Sequence, residues 1–326
     1  MKEFIKQTIL TLCSPVHKLC VSWRIRERKA TFGEDNPDKT FYIYGFEDNI
    51  GGIWWHINKV LMHIAYAKDK GYILVVDMKN YMSQYQLREN LGIVNVWELF
   101  FKQPFGYTLE DIKSSKNIVI CKRAASPSPA FFMGQSSFYE DINRISYFHS
   151  LFKEYIVFSD ATRNYLNIIY NKVFQKGRRV VGVLCRGTDY VLKKPKGHPV
   201  QPDPNVVIKD VLFAMNEYNC DYIFLATEDM DIFRLFQEEF GDKLLFIDQT
   251  RISKTEMKSD DYLSKVNIKK NVSVDSFSRG IGYFAATYIL SKCTCYIAGM
   301  TGGSKGVLIM SEGFEYKKIY NLGLYE

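Results

Sequence analysis

Apolar runs of five or six residues alternate along this chain with segments whose apolar residues recur every three or four positions. Runs at 41–45, 72–77, 117–121, 180–185, 222–226, 244–248 and 294–298 predict buried strands, and the segments between them carry helix faces. Trp54, Ile57, Leu61, Ile64 and Lys68 mark one such face, which Gly71 closes. Others lie at 147–155, 162–174 and 206–218, on Ile232, Phe233, Leu235, Phe236 and Phe240, and on Phe277, Ile281, Ala285, Tyr288 and Ile289. Strand, turn, helix and strand repeated in this way describe βαβ units, and so an α/β fold. A polar break at 176–179 divides the alternation in two, and 326 residues exceed what one core ordinarily reaches. The expected organisation is a basic N-terminal segment and linker at 1–40, a Rossmann-like unit at 41–177 and a second at 178–326, facing each other across a cleft. Residues 30–40 read as a polar linker, 80–115 as irregular and helical with Trp97, Phe100 and Phe101 in the core, and 126–129 as a proline loop. Residues 249–272 lack apolar periodicity and are long enough for a mobile loop over a site.

The most informative boundary closes the fourth run. The strand Val-Val-Gly-Val-Leu-Cys stops at Arg186-Gly187-Thr188-Asp189, and a basic, proline-bounded loop follows that ends in His198, Gln201 and Asp203. In an open α/β sheet, ligands sit outside the carboxyl ends of the strands, where this strand delivers its side chains. An arginine there can fork onto two phosphate oxygens with a charge that never titrates away, and Gly187 lets a ligand approach closely. An interdomain salt bridge is the competing reading of Arg186. Asp189 can orient the guanidinium or the loop. His198 can accept a proton or simply hydrogen-bond the loop. Arg186, Asp189 and His198 are therefore the candidate catalytic residues.

Three further turns follow strands and open helices. Asn49-Ile50-Gly51-Gly52 offers an anion site or close backbone approach at a helix N-terminus. Thr227-Glu228-Asp229 is either a helix cap or a ligand contact. Thr301-Gly302-Gly303-Ser304 presents backbone amides and two hydroxyls to a phosphate. Asn49, Gly51, Gly52, Arg186, Gly187, Thr227, Glu228, Asp229, Thr301, Gly302, Gly303 and Ser304 make up the candidate donor-binding set. Asp229-Met230-Asp231 could be an acidic metal pair, but acids in a first helical turn serve mainly as caps, so no metal is expected. No Walker lysine and no GxGxxG after a strand support a P-loop or dinucleotide enzyme.

Charge and cysteine usage narrow the setting. Of the net charge of +7, residues 1–29 hold +5, interleaved with apolar residues that include Phe4, Ile9, Leu12 and Trp23. The uncharged run there is too short to span a bilayer. The segment reads equally as a helix lying on an anionic membrane surface and as one packed on the body. The near-balanced remainder excludes a protein that coats nucleic acid. Seven cysteines without a metal-type or disulfide spacing favour a reducing cytoplasm, with a peripheral place on the inner face of the membrane if the N-terminus docks. The 22 tyrosines and 23 phenylalanines fit a large core and also suit sugar rings.

The order of these motifs resembles the fucosyltransferase superfamily that joins nodulation-type and α1,6-fucosyltransferases with protein O-fucosyltransferases, and in particular its bacterial polysaccharide branch. The resemblance covers about residues 41–323. It rests on Asn49 to Gly52, on Arg186-Gly187-Thr188-Asp189, on the strand end Ala226-Thr227-Glu228-Asp229, and on the last helix, strand and turn from Phe277 to Ser304. Leu184 stands where the family often has a histidine, and Gly187 where a second arginine is common. The resemblance implies a GT-B-like fold, no cofactor, no metal and a nucleotide-sugar donor, GDP-fucose above other donors such as a UDP-sugar. It also implies inverting transfer to a glycan hydroxyl, with Arg186 on the diphosphate, Asp229 and residues 301–304 on nucleoside and phosphate, and a glycan acceptor that could be lipid-linked. A non-catalytic nucleotide-sugar or glycan-binding protein is the alternative.

Overall fold

The computed structural model describes residues 26–48, 51–124, 126–131, 133, 137–249, 251–256 and 275–326. Most of the basic N-terminal segment, Asn49 and most of the loop expected at 249–272 lie outside this set.

The first sheet contains β1 (Arg28–Ala30), β2 (Asp35–Tyr44), β3 (Ile73–Val76) and β4 (Ser115–Cys121), in the order β1-β4-β2-β3. β2 runs parallel to both β3 and β4, and β1 is an antiparallel edge. Residues 30–40 are therefore not a linker. Asp35 already pairs with Ser115, and a register shift before Thr40 takes up the polar Asn36-Pro37-Asp38. Their hydrophilic composition reflects exposure to water, not a lack of strand partners.

Helix α1 (Ile53–Lys70) follows β2 and is buried on nearly every side because it lies between the two halves of the molecule. Gly71 ends it in the left-handed region at φ 67°, with its N–H bonded to the carbonyls of Ala67 and Lys68, a conformation glycine adopts without a Cβ penalty. Between β3 and β4 the only α-helix is α2 (Val96–Phe100). Side-chain amides replace a regular ladder here. Gln103 both donates to and accepts from the Val76 backbone (2.9 and 2.8 Å), and Asn95 donates to the Val76 carbonyl at 2.8 Å. Trp97, Phe100 and Phe101 are buried as their pattern predicts. Helices α3 (Ile142–Tyr155) and α4 (Asp160–Val173) complete this half, capped by Asp141 and Ser159.

The second sheet is wholly parallel: β5 (Val180–Leu184), β6 (Tyr222–Ala226), β7 (Leu244–Leu245), β8 (Cys295–Gly299) and β9 (Tyr316–Tyr320), ordered β7-β6-β5-β8-β9. The chain enters at the centre, moves outward through β6 and β7, then returns to the other side of β5 for β8 and β9. The order thus reverses between β5 and β8. β7 ends sooner than the apolar run at 244–248 suggests, because only its first two residues pair with β6. β9 has no clear sequence signal, since lysines interrupt it at an edge. Helices α5 (Thr188–Lys193), α6 (Pro204–Glu217), α7 (Met230–Phe240), α8 (Ser276–Leu290) and α9 (Gly302–Met310) surround the sheet.

The two sheets share one apolar cluster. It runs from Tyr42 and Val76 in the first sheet, through α1, α8 and α9, to Leu184, Phe224 and Tyr296 in the second. Trp54 of α1 is the central contact: it is 1 % exposed and its indole N–H donates to Thr287 Oγ1 at 2.7 Å. A Cβ on Gly306 would lie 2.3 Å from its ring, so only glycine lets α9 pack this close. The cysteines at 121, 185, 220, 293 and 295 are free and buried, and each packs there as a small hydrophobe.

Candidate functional site

Where strand order reverses, the helices after adjacent strands leave the sheet on opposite faces and open a crevice at the carboxyl ends. In the second sheet that point lies between β5 and β8. Arg186 follows β5, Thr227-Glu228-Asp229 follows β6, and Thr301 follows β8. The Arg186 guanidinium carbon lies 4.5 Å from the centre of the Tyr190 ring, one turn along α5, and its Nε is 3.9 Å from Glu228 Oε1. That carboxylate belongs to the same half of the chain, so it is not the interdomain ion pair weighed from sequence.

Glu228 Oε1 also accepts from the Gly187 N–H (3.1 Å) and the Thr188 hydroxyl (3.0 Å). Asp229 is fully buried, and its Oδ2 accepts from the Thr188 N–H at 2.9 Å. Its other oxygen caps α7 by accepting from Asp231 and Ile232. Thr188 sits in the left-handed region at φ 42°, which is costly for a β-branched residue and is sustained by these two acids. Gly187 is required because a Cβ there would lie 2.1 Å from Asp229 Oδ2. Asp229 therefore holds the arginine turn from behind and does not face the crevice as a donor contact. Thr227 is likewise structural: its buried hydroxyl accepts from the Asp229 N–H and its carbonyl accepts from Gln249.

Across the crevice, Thr301 and Ser304 form a reciprocal capping box at the start of α9. Their hydroxyls bond one another's backbone, which leaves the Gly302 and Gly303 amides, lacking intrahelical acceptors by position, as the polar groups of this turn. A Cβ on Gly303 would lie 2.1 Å from Tyr283 Oη. The Tyr283 phenol also bonds Thr301; burial pushes its pKa up to about 12, while the Arg186 charge pulls the other way. Tyr283 thus stands between the arginine and the α9 turn as a neutral hydroxyl. Tyr139 donates to the Thr301 carbonyl at 2.6 Å, and burial raises its pKa.

The Gly51-Gly52 turn comes to the same place from the first sheet. Gly52 is the N-cap of α1, and the Gly51 N–H donates to Asp48 Oδ1 at 2.9 Å while its carbonyl accepts from Gln84. The Trp54 Cβ is 3.9 Å from where a Gly302 Cβ would lie, so the first turns of α1 and α9 are side by side. Two positive helix ends therefore lie side by side, an arrangement that favours an anion.

The loop after Arg186 differs from its expected form. It begins as helix α5, and residues 197–200 then bond the C-terminal residues, with Gly197 N–H on the Tyr325 carbonyl (2.8 Å) and Val200 N–H on that of Gly323 (3.0 Å). His198 is exposed and meets Tyr190 edge-on at 5.3 Å, one ring removed from Arg186. Gln201 is buried and donates to the Pro199 and Met300 carbonyls, and Asp203 caps α6. The Asp189 side chain is outside the described set. Tyr190, Tyr283 and Tyr139 carry no motif of their own. Beyond the switch point, Tyr139, Met300, Lys317, Ile319 and Asn321 line a cavity of about 190 Å³. Among the described residues, no three His, Cys, Asp or Glu side chains gather as a metal site, and no helix is long and apolar enough to cross a membrane.

No protein-family model matches the chain, and no curated protein matches it. Solved structures do. An arginine-to-lysine mutant of Arabidopsis thaliana FUT1 in complex with GDP aligns over 87% of this chain and 71% of its own, at 9% identity and TM-score 0.50. The POFUT1 apo form covers 87% of this chain and 99% of its own (10% identity, TM-score 0.49), and the fucosyltransferase NodZ from Bradyrhizobium covers 79% and 88% (13% identity, TM-score 0.44). The chain thus shares its fold with the FUT1 structure, an α/β, GT-B-like architecture of the kind expected from the sequence.

Proposed function

We propose that the protein is a glycosyltransferase that takes a sugar, fucose in the first instance, from a guanosine diphosphate donor. The observation that carries this reading is the position of Arg186 at the β5/β8 switch point, opposite the Gly302 and Gly303 amides with the Tyr283 hydroxyl between. A diphosphate would accept from the guanidinium on one side and from the amides on the other. Glu228 and Tyr190 hold the guanidinium before the ligand arrives, so little reorganisation is needed when charge develops on the leaving group. An acceptor hydroxyl would attack the anomeric carbon from the opposite face, with inversion. His198 and Asp189 are the candidate bases in this reading. Residues 178–326 would carry the donor and 41–177 the acceptor side. The acceptor in this reading is a surface polysaccharide intermediate, lipid-linked if residues 1–29 dock on the inner face of the membrane.

A thermal-shift screen of GDP, UDP, CDP and their sugars tests the class and the donor together. GDP and GDP-fucose should raise the Tm, and the Arg186→Ala variant should lose turnover of GDP-fucose by on the order of a hundredfold or more. An Arg186→Ala protein that folds and keeps wild-type turnover would remove the assignment.

A further inference from the structure

Two free thiols meet at the amino ends of the strands in the second sheet, the end opposite the Arg186 crevice. Cys295 opens β8, and Cys220 lies in the turn between α6 and β6. Helix α6 packs across β5 and β8, and the chain that leaves it is held to the Arg179 carbonyl by the Asp221 N–H at 3.1 Å. Cys220 is thereby brought to the start of β8. The two Sγ atoms are 3.9 Å apart, although the residues are separated by 75 positions. Cys295 is fully buried and Cys220 is 5 % exposed, and both belong to the apolar cluster that includes Val181, Val211 and Ala214. Sulfur atoms in contact at this distance have about 1.9 Å left to travel to the length of a disulfide bond.

The surroundings make the two thiols unequal. The Cys220 thiol lies 3.7 Å from the Tyr218 carbonyl, which also accepts from Arg179 Nε and Nη2 at 3.1 and 2.9 Å, so a guanidinium stands beside the sulfur. A hydrogen bond from Cys295 and the Arg179 charge lower the Cys220 pKa, whereas the bond to Cys220 and burial raise that of Cys295. The thiolate therefore forms on Cys220, the less buried of the two. Cys293 belongs to the cluster on the other face of the sheet, where its thiol donates to the Ile289 carbonyl at 3.4 Å. We propose that Cys220 and Cys295 form a peroxide-sensitive pair that closes into a reversible disulfide and ties the end of α6 to the start of β8. With hydrogen peroxide, the Cys220 thiolate attacks one oxygen, the O–O bond breaks, and a sulfenic acid and one water result. Cys295 then attacks the Cys220 sulfur, gives up its proton and displaces that oxygen as a second water. Two thiols are thus oxidised by two electrons while the peroxide is reduced to two waters. The bridge leaves the crevice untouched and restrains the unfolded chain across 75 positions, which stabilises the fold.

Peptide mapping of the reduced full chain after hydrogen peroxide treatment, catalase quenching and alkylation in guanidinium tests the pair. A disulfide-linked peptide carrying Cys220 and Cys295 should appear in the wild type, vanish on dithiothreitol treatment and be absent from Cys220→Ala. In Cys295→Ala the sulfenic acid has no second thiol to meet, so dimedone should label Cys220 there several-fold more than in the wild type. The bridged protein should melt about 5 °C above the reduced one, and peroxide should give Cys220→Ala no such rise. Recovery of Cys220 and Cys295 as alkylated thiols at large molar excess of peroxide would overturn the pair. So would oxidation of wild-type Cys220 to a sulfinic acid without the linked peptide, or a bridge from Cys220 to another cysteine. A Cys220–Cys295 bridge that leaves the melting temperature unchanged or lowers it would overturn the stabilising tie.

Discussion

Replacing Gly187 with alanine perturbs the arginine turn without touching the arginine. The added Cβ would lie 2.1 Å from Asp229 Oδ2, 2.7 Å from its Cγ and 2.8 Å from its Cβ, all inside the 3.0 Å that Cβ contacts do not cross. The carboxylate is not the loose end of a flexible chain. It is fully buried and accepts three backbone N–H bonds, from Thr188, Asp231 and Ile232. Moving it forfeits the α7 cap, worth about 1 kcal/mol, and a charge-assisted bond to Thr188 worth about 1.5–3 kcal/mol, so a total of about 2.5–4 kcal/mol is expected. Against a typical domain stability of about 5–15 kcal/mol the variant should still fold. Urea unfolding by circular dichroism measures the loss, and GDP titration should show weaker binding because Thr188 and Arg186 lose their fixed backbone. A Gly187→Ala protein within about 0.5 kcal/mol of wild type and with unchanged GDP affinity would refute the packing argument.

Two other outcomes follow from the interface and the buried imidazoles. Gly306→Ala forces a methyl group into the Trp54 ring and should cost at least 1–3 kcal/mol in urea unfolding, with Trp54→Ala recovering part of the loss in the double variant. His56 and His63 are buried neutral, their pKa values lowered by burial to about 4 and about 3, so the unfolded chain binds protons they refuse. Their stabilisation is complete above the unfolded value near 6.5 and is lost as pH falls through the window down to 4 and 3. Between pH 7 and pH 5 each should cost roughly 2 kcal/mol, and His56→Gln should flatten that slope in paired urea titrations.

Much of the architecture is legible in the chain because its strands are continuous apolar runs, as in any parallel sheet covered on both faces. Val180 to Leu184 is buried throughout and could be read as a central strand with an active end. What escaped the pattern is held by side chains. β3 is completed by the amides of Asn95 and Gln103, which no periodicity encodes, and the edge strand β9 is half-exposed with lysines. The polar stretch at 30–40 pairs as β1 and β2 because a register shift tolerates its turn residues.

At the site, residue types that suggest ligand contact divide into two groups. Arg186 and the Gly302-Gly303 turn stand at the strand ends that border the crevice, while Gly187 makes room for Asp229 behind the arginine turn. Asp229, Thr227, Gln201 and Asp203 do the local work of caps and struts, a role the same residue types fill equally well. Sequence spacing cannot separate these roles because both need a polar side chain at a strand end. The tyrosines at 139, 190 and 283 escape notice for the opposite reason: no motif contains them, and only the fold brings the Tyr139 and Tyr283 hydroxyls to Thr301 and the Tyr190 ring to Arg186.

Calorimetric titration of GDP into the wild type and Arg186→Ala tests most directly whether the β5/β8 crevice is a nucleoside diphosphate site. Loss of one charge-assisted contact worth about 1.5–3 kcal/mol should weaken GDP binding roughly ten- to a hundredfold or somewhat more, with the fold intact by circular dichroism. A wild-type protein that does not bind GDP, or an Arg186→Ala variant that binds it as tightly as the wild type, would contradict it.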